Sequence, residues 1–134
     1  MNSKVRFNHV GPQFVVDEVA VAVSFYSEVL GFELDHVNGE PLQYAVVFRD
    51  EVYVHLGVQG HPAFTPGPGS AFVSVSGVEE VWSRVKLAAP QSVIEPLESC
   101  DYGQGVRFRV FSLADPAGNI LRIGEPLESK TQGA

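Results

Sequence analysis

Cysteine occurs once in this sequence of 134 residues, at Cys100, so no disulfide can form within the chain. That excludes the disulfide-stapled scaffolds of small secreted proteins and leads to the expectation of a reducing, cytoplasmic setting. Long apolar runs are missing too. None reaches the ~18 residues that a membrane-crossing helix needs. Met1-Asn2-Ser3-Lys4 leads straight into an alternating pattern with no apolar stretch, so no secretory leader is expected. Basic residues are few: nine Lys and Arg against 16 Asp and Glu give a formal net charge of −7. That speaks against nucleic acid as a partner, because phosphates call for clustered Lys and Arg. The same acidity suits a cationic small molecule steered by the surface field, and it equally serves solubility.

What is present describes a globular chain, with 45% hydrophobic and 19% charged residues, enough for one self-sufficient domain. Val5 to Val16 reads as a strand broken at Gly11-Pro12, an edge or bulged strand because Pro12 has no N–H. Asp17 stands where a helix N-cap belongs, Glu18 to Leu30 carries helical apolar spacing, and Gly31 stops it. Phe32 to Val37, Leu42 to Arg49 and Val52 to Val58 read as strands, the first two joined by a two-residue Asn38-Gly39 turn. Residues 59–69, with three prolines and several glycines, form a connecting loop. The order then repeats. Ser70 to Val75 is a strand, Ser76 or Gly77 caps a helix from Val78 to Ala89, and Pro90 ends it. Val93 to Leu97, Val106 to Leu113 and Ile120 to Ile123 follow as strands, and residues 126–134 form a polar tail. Val19 and Val78, which open the two helices, lie 59 residues apart. The expected fold is α+β: two βαβββ modules, about 5–58 and 70–125, whose curved mixed sheets enclose a cleft.

Two segments carry a family resemblance. Phe25-Tyr26-Ser27-Glu28-Val29-Leu30-Gly31-Phe32-Glu33-Leu34 is similar to the helix exit of the vicinal oxygen chelate superfamily, which includes glyoxalase I, extradiol dioxygenases and bleomycin resistance proteins. Asp115-Pro116-Ala117-Gly118-Asn119-Ile120-Leu121-Arg122-Ile123-Gly124-Glu125 resembles its closing hairpin. The resemblance spans nearly the whole chain. It identifies a fold more than an activity.

Metal-dependent members of that superfamily hold a divalent ion with His and Glu from the first and last strands of each module, a donor set suited to zinc, iron or nickel. Counted from the motifs, those positions fall here on Gly11, His55, Ser70 and Arg122. Of these only His55 is a plausible donor, and Arg122 is a permanent cation. His9, two residues before Gly11, could join His55 if a bulge at Pro12 brought it into register; His36 and His61 read as solvated. No catalytic residue and no cofactor are therefore expected, and a metal at His9 and His55 is the alternative. The resemblance then points to the bleomycin resistance branch: homodimers that sequester a drug in an aromatic-lined groove and so confer antibiotic resistance.

Alternation puts Tyr53, His55 and Gly57 on the cleft face of their strand and Val52, Val54 and Leu56 on the helix side. The expected ligand-binding residues are Tyr53, His55, Phe64, Tyr102, Phe108 and Arg122. Tyr102-Gly103 resembles an aromatic-Gly pair that stacks on ligand in resistance proteins, although its spacing to Asp115 is longer here. Phe108 and Phe111 differ in parity, so only one can line the cleft; Tyr26, Phe25 and Trp82 are assigned to the core. The expected function is metal-free binding of a small cationic or aromatic molecule. The competing readings are a metal-dependent lyase, isomerase or dioxygenase, a metal-free enzyme with His55 as base, and a regulatory module with a vestigial cleft.

Overall fold

The structure, a computed structural model, describes residues 4–60, 64 and 66–127. Module one contains β1 (Gln13–Val16), α1 (Val19–Leu30), β2 (Glu33–Asn38), β3 (Tyr44–Arg49) and β4 (Val52–Val58). Module two contains β5 (Ser70–Ser74), α2 (Val78–Ala88), β6 (Val93–Asp101), β7 (Arg107–Ala114) and β8 (Ile120–Pro126), with a short 3-10 turn at Pro90–Ser92. Each module forms a four-stranded sheet, ordered β1-β4-β3-β2 and β5-β8-β7-β6. The first strand of each pairs in parallel with the last, and the other pairs are antiparallel. The register repeats: Gln13 lies against His55, and Phe72 against Arg122. The α+β architecture of two βαβββ modules is therefore as expected.

Helix α1 forms because Val19, Ala22, Tyr26, Val29 and Leu30 share one buried face. Gly31 ends it in the left-handed conformation at φ 75°, donating to the Ser27 carbonyl while the Phe32 N–H reaches Tyr26. Two arginines finish the job electrostatically. Arg49 donates to the Leu30 carbonyl at 2.8 Å and Arg84 to that of Glu28 at 3.3 Å, placing cations at the negative end of the helix. Both helices pack on the backs of their own sheets and share one core, in which Val54, Leu56, Val85, Phe111, Leu113 and Leu121 are buried. Phe25 and Trp82 are partly buried against this core, and Trp82 leans on Phe111 with ring centroids 5.1 Å apart.

Several expected boundaries move. The first strand starts only at Gln13; residues 4–12 lie outside regular structure, although the Pro12 carbonyl still accepts from the His55 N–H at 2.9 Å. Glu18 rather than Asp17 is the α1 N-cap, and no side chain caps that end. Gly77 caps α2. The Asn38-Gly39 turn is not a two-residue hairpin: β3 begins at Tyr44, and Gln43 N–H closes the longer loop onto the Asn38 carbonyl at 2.9 Å. Pro41, without an N–H, cannot continue the ladder there. Strand β6 runs to Asp101, well past Leu97, by absorbing register shifts between Val93 and Glu95 and between Glu95 and Glu98.

Candidate functional site

The faces turned away from the helices carry the chemistry. On β4, Tyr53 and His55 alternate with buried Val54 and Leu56, as the parity requires. The β3 register sets Phe48 beside Tyr53, Val46 beside His55 and Tyr44 beside Gly57. Phe48 and Tyr53 stack at 5.5 Å, and His9 stacks on Tyr53 at 4.2 Å. Phe64 is 7% exposed and covers Gly57, where a Cβ would meet its ring at 2.7 Å; its edge contacts Tyr44 at 5.8 Å. The Tyr44 hydroxyl and His55 Nδ1 are hydrogen-bonded. If that nitrogen is the unprotonated one, the hydroxyl donates. Burial first, and then neighbouring His9, hold the His55 imidazole below its usual pKa, while Asp35 pulls the other way. His55 is thus neutral at physiological pH.

The second face is built on β8, β7 and β5. Arg122 lies between Ser112 and Phe72 in the register. Its Nη2 donates to the Tyr102 hydroxyl at 3.1 Å, and its guanidinium stands over the Phe72 ring at 5.7 Å. Phe108 meets Phe72 edge-on at 5.5 Å and Tyr102 at 5.8 Å. Phe72 lies on Gly124, where a Cβ would come within 2.8 Å of the ring, just as Phe64 lies on Gly57. Ser112 Oγ donates to Glu95 at 3.1 Å. A concavity of about 470 Å³ opens here, lined by Ser70, Phe72, Ile94, Glu95, Ser112 and Arg122 among others. Where the modules adjoin, a further cavity of about 360 Å³ brings Tyr53 and Phe72 to one space with Gly11, Pro12 and Ala71.

The expected residues therefore divide into two groups. Tyr53, His55 and Phe64 gather on the first sheet, and Tyr102, Phe108 and Arg122 on the second. Phe111 is 1% exposed in the core, so Phe108 is the one on the open face. The reading missed Tyr44, Phe48 and Phe72, although alternation along Tyr44-Val46-Phe48 would have put the first two beside Tyr53 and His55. His36, read as solvated in or near a loop, is exposed; it lies in β2, beside the irregularity between Leu34 and His36, with its ring centroid 6.3 Å from that of Tyr44. His61 lies outside the described residues.

The four positions implied for a metal make a poor donor set. Gly11 has no side chain, and a Cβ there would strike the Tyr53 carbonyl at 2.6 Å. Ser70, paired with Ile120, offers only a neutral hydroxyl, and Arg122 repels cations. His9 is held against Tyr53 outside any strand. Among the described residues no three His, Cys, Asp or Glu side chains group as metal ligands.

Comparison with known proteins decides the family. Residues 6–123 match the model of the Glyoxalase/Bleomycin resistance protein/Dioxygenase superfamily. The chain belongs to this superfamily. A bleomycin resistance protein of Geobacillus stearothermophilus is 25% identical, over 88% of this chain and 96% of its own length. Among solved structures, TioX from Micromonospora sp. ML1 superposes with TM-score 0.76 at 20% identity, covering 89% of this chain and 98% of that one. TnmS3, an antibiotic binding protein from Streptomyces sp. CB03234, gives TM-score 0.70 at 18% identity, covering 94% and 100%. These structures share the fold with this member of the superfamily. No described helix is long and apolar enough to cross a membrane.

Proposed function

We propose that this superfamily member is a binding protein that holds a small aromatic molecule on its open sheet faces, without a metal and without chemistry on the ligand. The observation that carries the reading is the continuous edge-to-face set of rings Phe72, Phe108 and Tyr102, of which Phe72 lines the concavity of about 470 Å³ together with Arg122. Such rings offer flat apolar area at little entropic cost, with Arg122, Glu95 and the Tyr102 hydroxyl as polar anchors. The kinship to bleomycin resistance proteins supports sequestration rather than turnover. A cytoplasmic homodimer fits the same reading. Phe7 and Val10, 95% and 89% exposed, are apolar side chains that a second copy would cover. Titrating the purified chain with a fused-ring aromatic probe should quench Trp82 or tyrosine fluorescence saturably at one probe per chain, and light scattering should return a dimer mass. Elemental analysis of protein made without a metal-affinity step should find no stoichiometric transition metal. Near one metal per chain would transfer the assignment to the metalloenzyme reading.

One observation favours a second reading. His55 is kept neutral by burial and by His9 and is bonded to Tyr44, the state a general base requires. In an enzyme of that kind His55→Ala would abolish turnover; unchanged turnover removes the role.

A further inference from the structure

We infer that the ligand of the second sheet face carries a carboxylate, and that Arg122 is the residue that selects it. The inference rests on the aromatic-binder reading above and adds the charge of the ligand to it. It starts from what the arginines do. Arg49 and Arg84 are committed to the C-terminal carbonyls of α1, and Arg109 is paired with Glu79 at 3.3 Å. Arg122 has no such assignment. Its partners are the Tyr102 hydroxyl, which takes one N–H of Nη2, and the face of Phe72. A guanidinium has five N–H donors and no acceptor, so most of its fork faces the concavity without a protein acceptor among the described residues. No carboxylate forms an ion pair with it there, although Glu95 lines the same space; Glu95 is turned to Ser112 Oγ instead.

The surroundings fit a planar acid. Phe72, 5.7 Å from the guanidinium, and Tyr102, bonded to one of its nitrogens, restrain the fork, and a guanidinium so held can receive both oxygens of a carboxylate. Because the Tyr102 oxygen accepts from Arg122, its own hydrogen is left to donate to the incoming oxygen. Phe72 and Tyr102 remain 45% and 50% exposed, so their rings are available to stack on the aromatic body behind the carboxylate. Glu95 sets the other limit. Its charge already acts on Arg122 across the same concavity, so it disfavours a second anion and can accept from a hydroxyl or amine of the ligand. The formal charge of −7 works against a carboxylate at long range. Recognition therefore depends on the local fork, whose short-range contact must outweigh the distant charges.

Naphthoate, naphthamide and naphthylmethylamine differ in charge on the same ring system and can be titrated calorimetrically into the full chain. Naphthoate should bind at least about tenfold more tightly than the other two, the worth of a charge-assisted bidentate contact. Arg122→Gln should remove that preference, bringing naphthoate down to the affinity of naphthamide for the same variant, and Arg122→Lys should restore only part of it. Phe72→Leu should weaken all three. If the amide or amine binds the unmodified chain as well as the acid does, or if Arg122→Gln keeps the preference, the carboxylate assignment is wrong and the aromatic-binder reading survives. If none of the three binds, the binder reading itself falls.

Discussion

The two modules share a scaffold and differ in charge at the same place. His55 and Arg122 each lie on the last strand, each opposite the first strand, at Gln13 and Phe72 respectively. Two residues further along, Gly57 and Gly124 each bear an aromatic ring. Yet His55 is neutral and tied to Tyr44, whereas Arg122 is a cation with an open fork. The seam between modules is just as uneven. At one end, buried Asn119 donates to the Val15 carbonyl at 2.9 Å and accepts from Gly69 N–H at 2.8 Å. Asp115 receives Tyr26 Oη there at 3.0 Å, and burial together with the Asp115 charge keeps that phenol protonated. At the other end the β3–β4 turn at Asp50-Glu51 borders two cavities of about 360 Å³, each lined by residues of both modules. A duplicated frame thus leaves room for one copy to specialise in holding the modules together while the interior-facing positions diverge.

Breaking the clamp should give the largest effect. Asn119→Ala strands Gly69 N–H and the Val15 carbonyl, and should cost about 3 kcal/mol of unfolding free energy in urea titrations. Glu51→Ala at the open end should stay within about 0.5 kcal/mol. Equal losses at both ends would erase the distinction between them. The paired glycines come next. Gly57→Ala drives a methyl into Phe64, which is 7% exposed and has little space to yield, so a loss of about 2 kcal/mol is expected. Gly124→Ala meets Phe72, 45% exposed and able to swing out, and should cost less than half as much. The smallest effect separates His55 from Arg122. The His55 value is depressed in the fold, so the stability it contributes is present above about pH 6.5 and is lost as pH falls through its lowered folded value. Comparing melting temperatures at neutral and mildly acid pH, His55→Gln should flatten that part of the profile by a few tenths of a kcal/mol at most, given its partial exposure. Arg122→Gln should leave it unchanged.

How much was readable in advance differs from residue to residue. Tyr53 and His55 were placed on the open face because strand parity is strictly local, and burial of Val54 and Leu56 follows from the same alternation. The Asp115 to Asn119 turn announced itself by composition. Its second role, reaching across to Val15 and Tyr26, did not, because hydrogen bonds across 104 and 89 residues leave no local pattern. His36 is exposed, as read, but its approach to Tyr44 follows an irregularity in β2 that local alternation does not express. Tyr102 was in doubt from its spacing to Asp115. Strands β6 and β7 lengthen into a hairpin whose turn returns Tyr102 to Arg122, which spacing alone cannot express.

The sequence by itself determined the duplicated order of strand, helix and three strands, the faces of β4 and α1, and the presence of neither carboxylate nor imidazole at Gly11, Ser70 and Arg122, three of the four positions that the family resemblance implies for a metal. These depend on periodicity and residue identity, which act over a few neighbouring residues. Only the tertiary structure decided that the expected ligand residues form two groups rather than one, that Phe64 and Phe72 rest on matching glycines, and that Arg122 keeps an open fork among rings. Those facts depend on register between distant strands and on which side chains compete for the same space, and packing settles both only when the whole chain is in place.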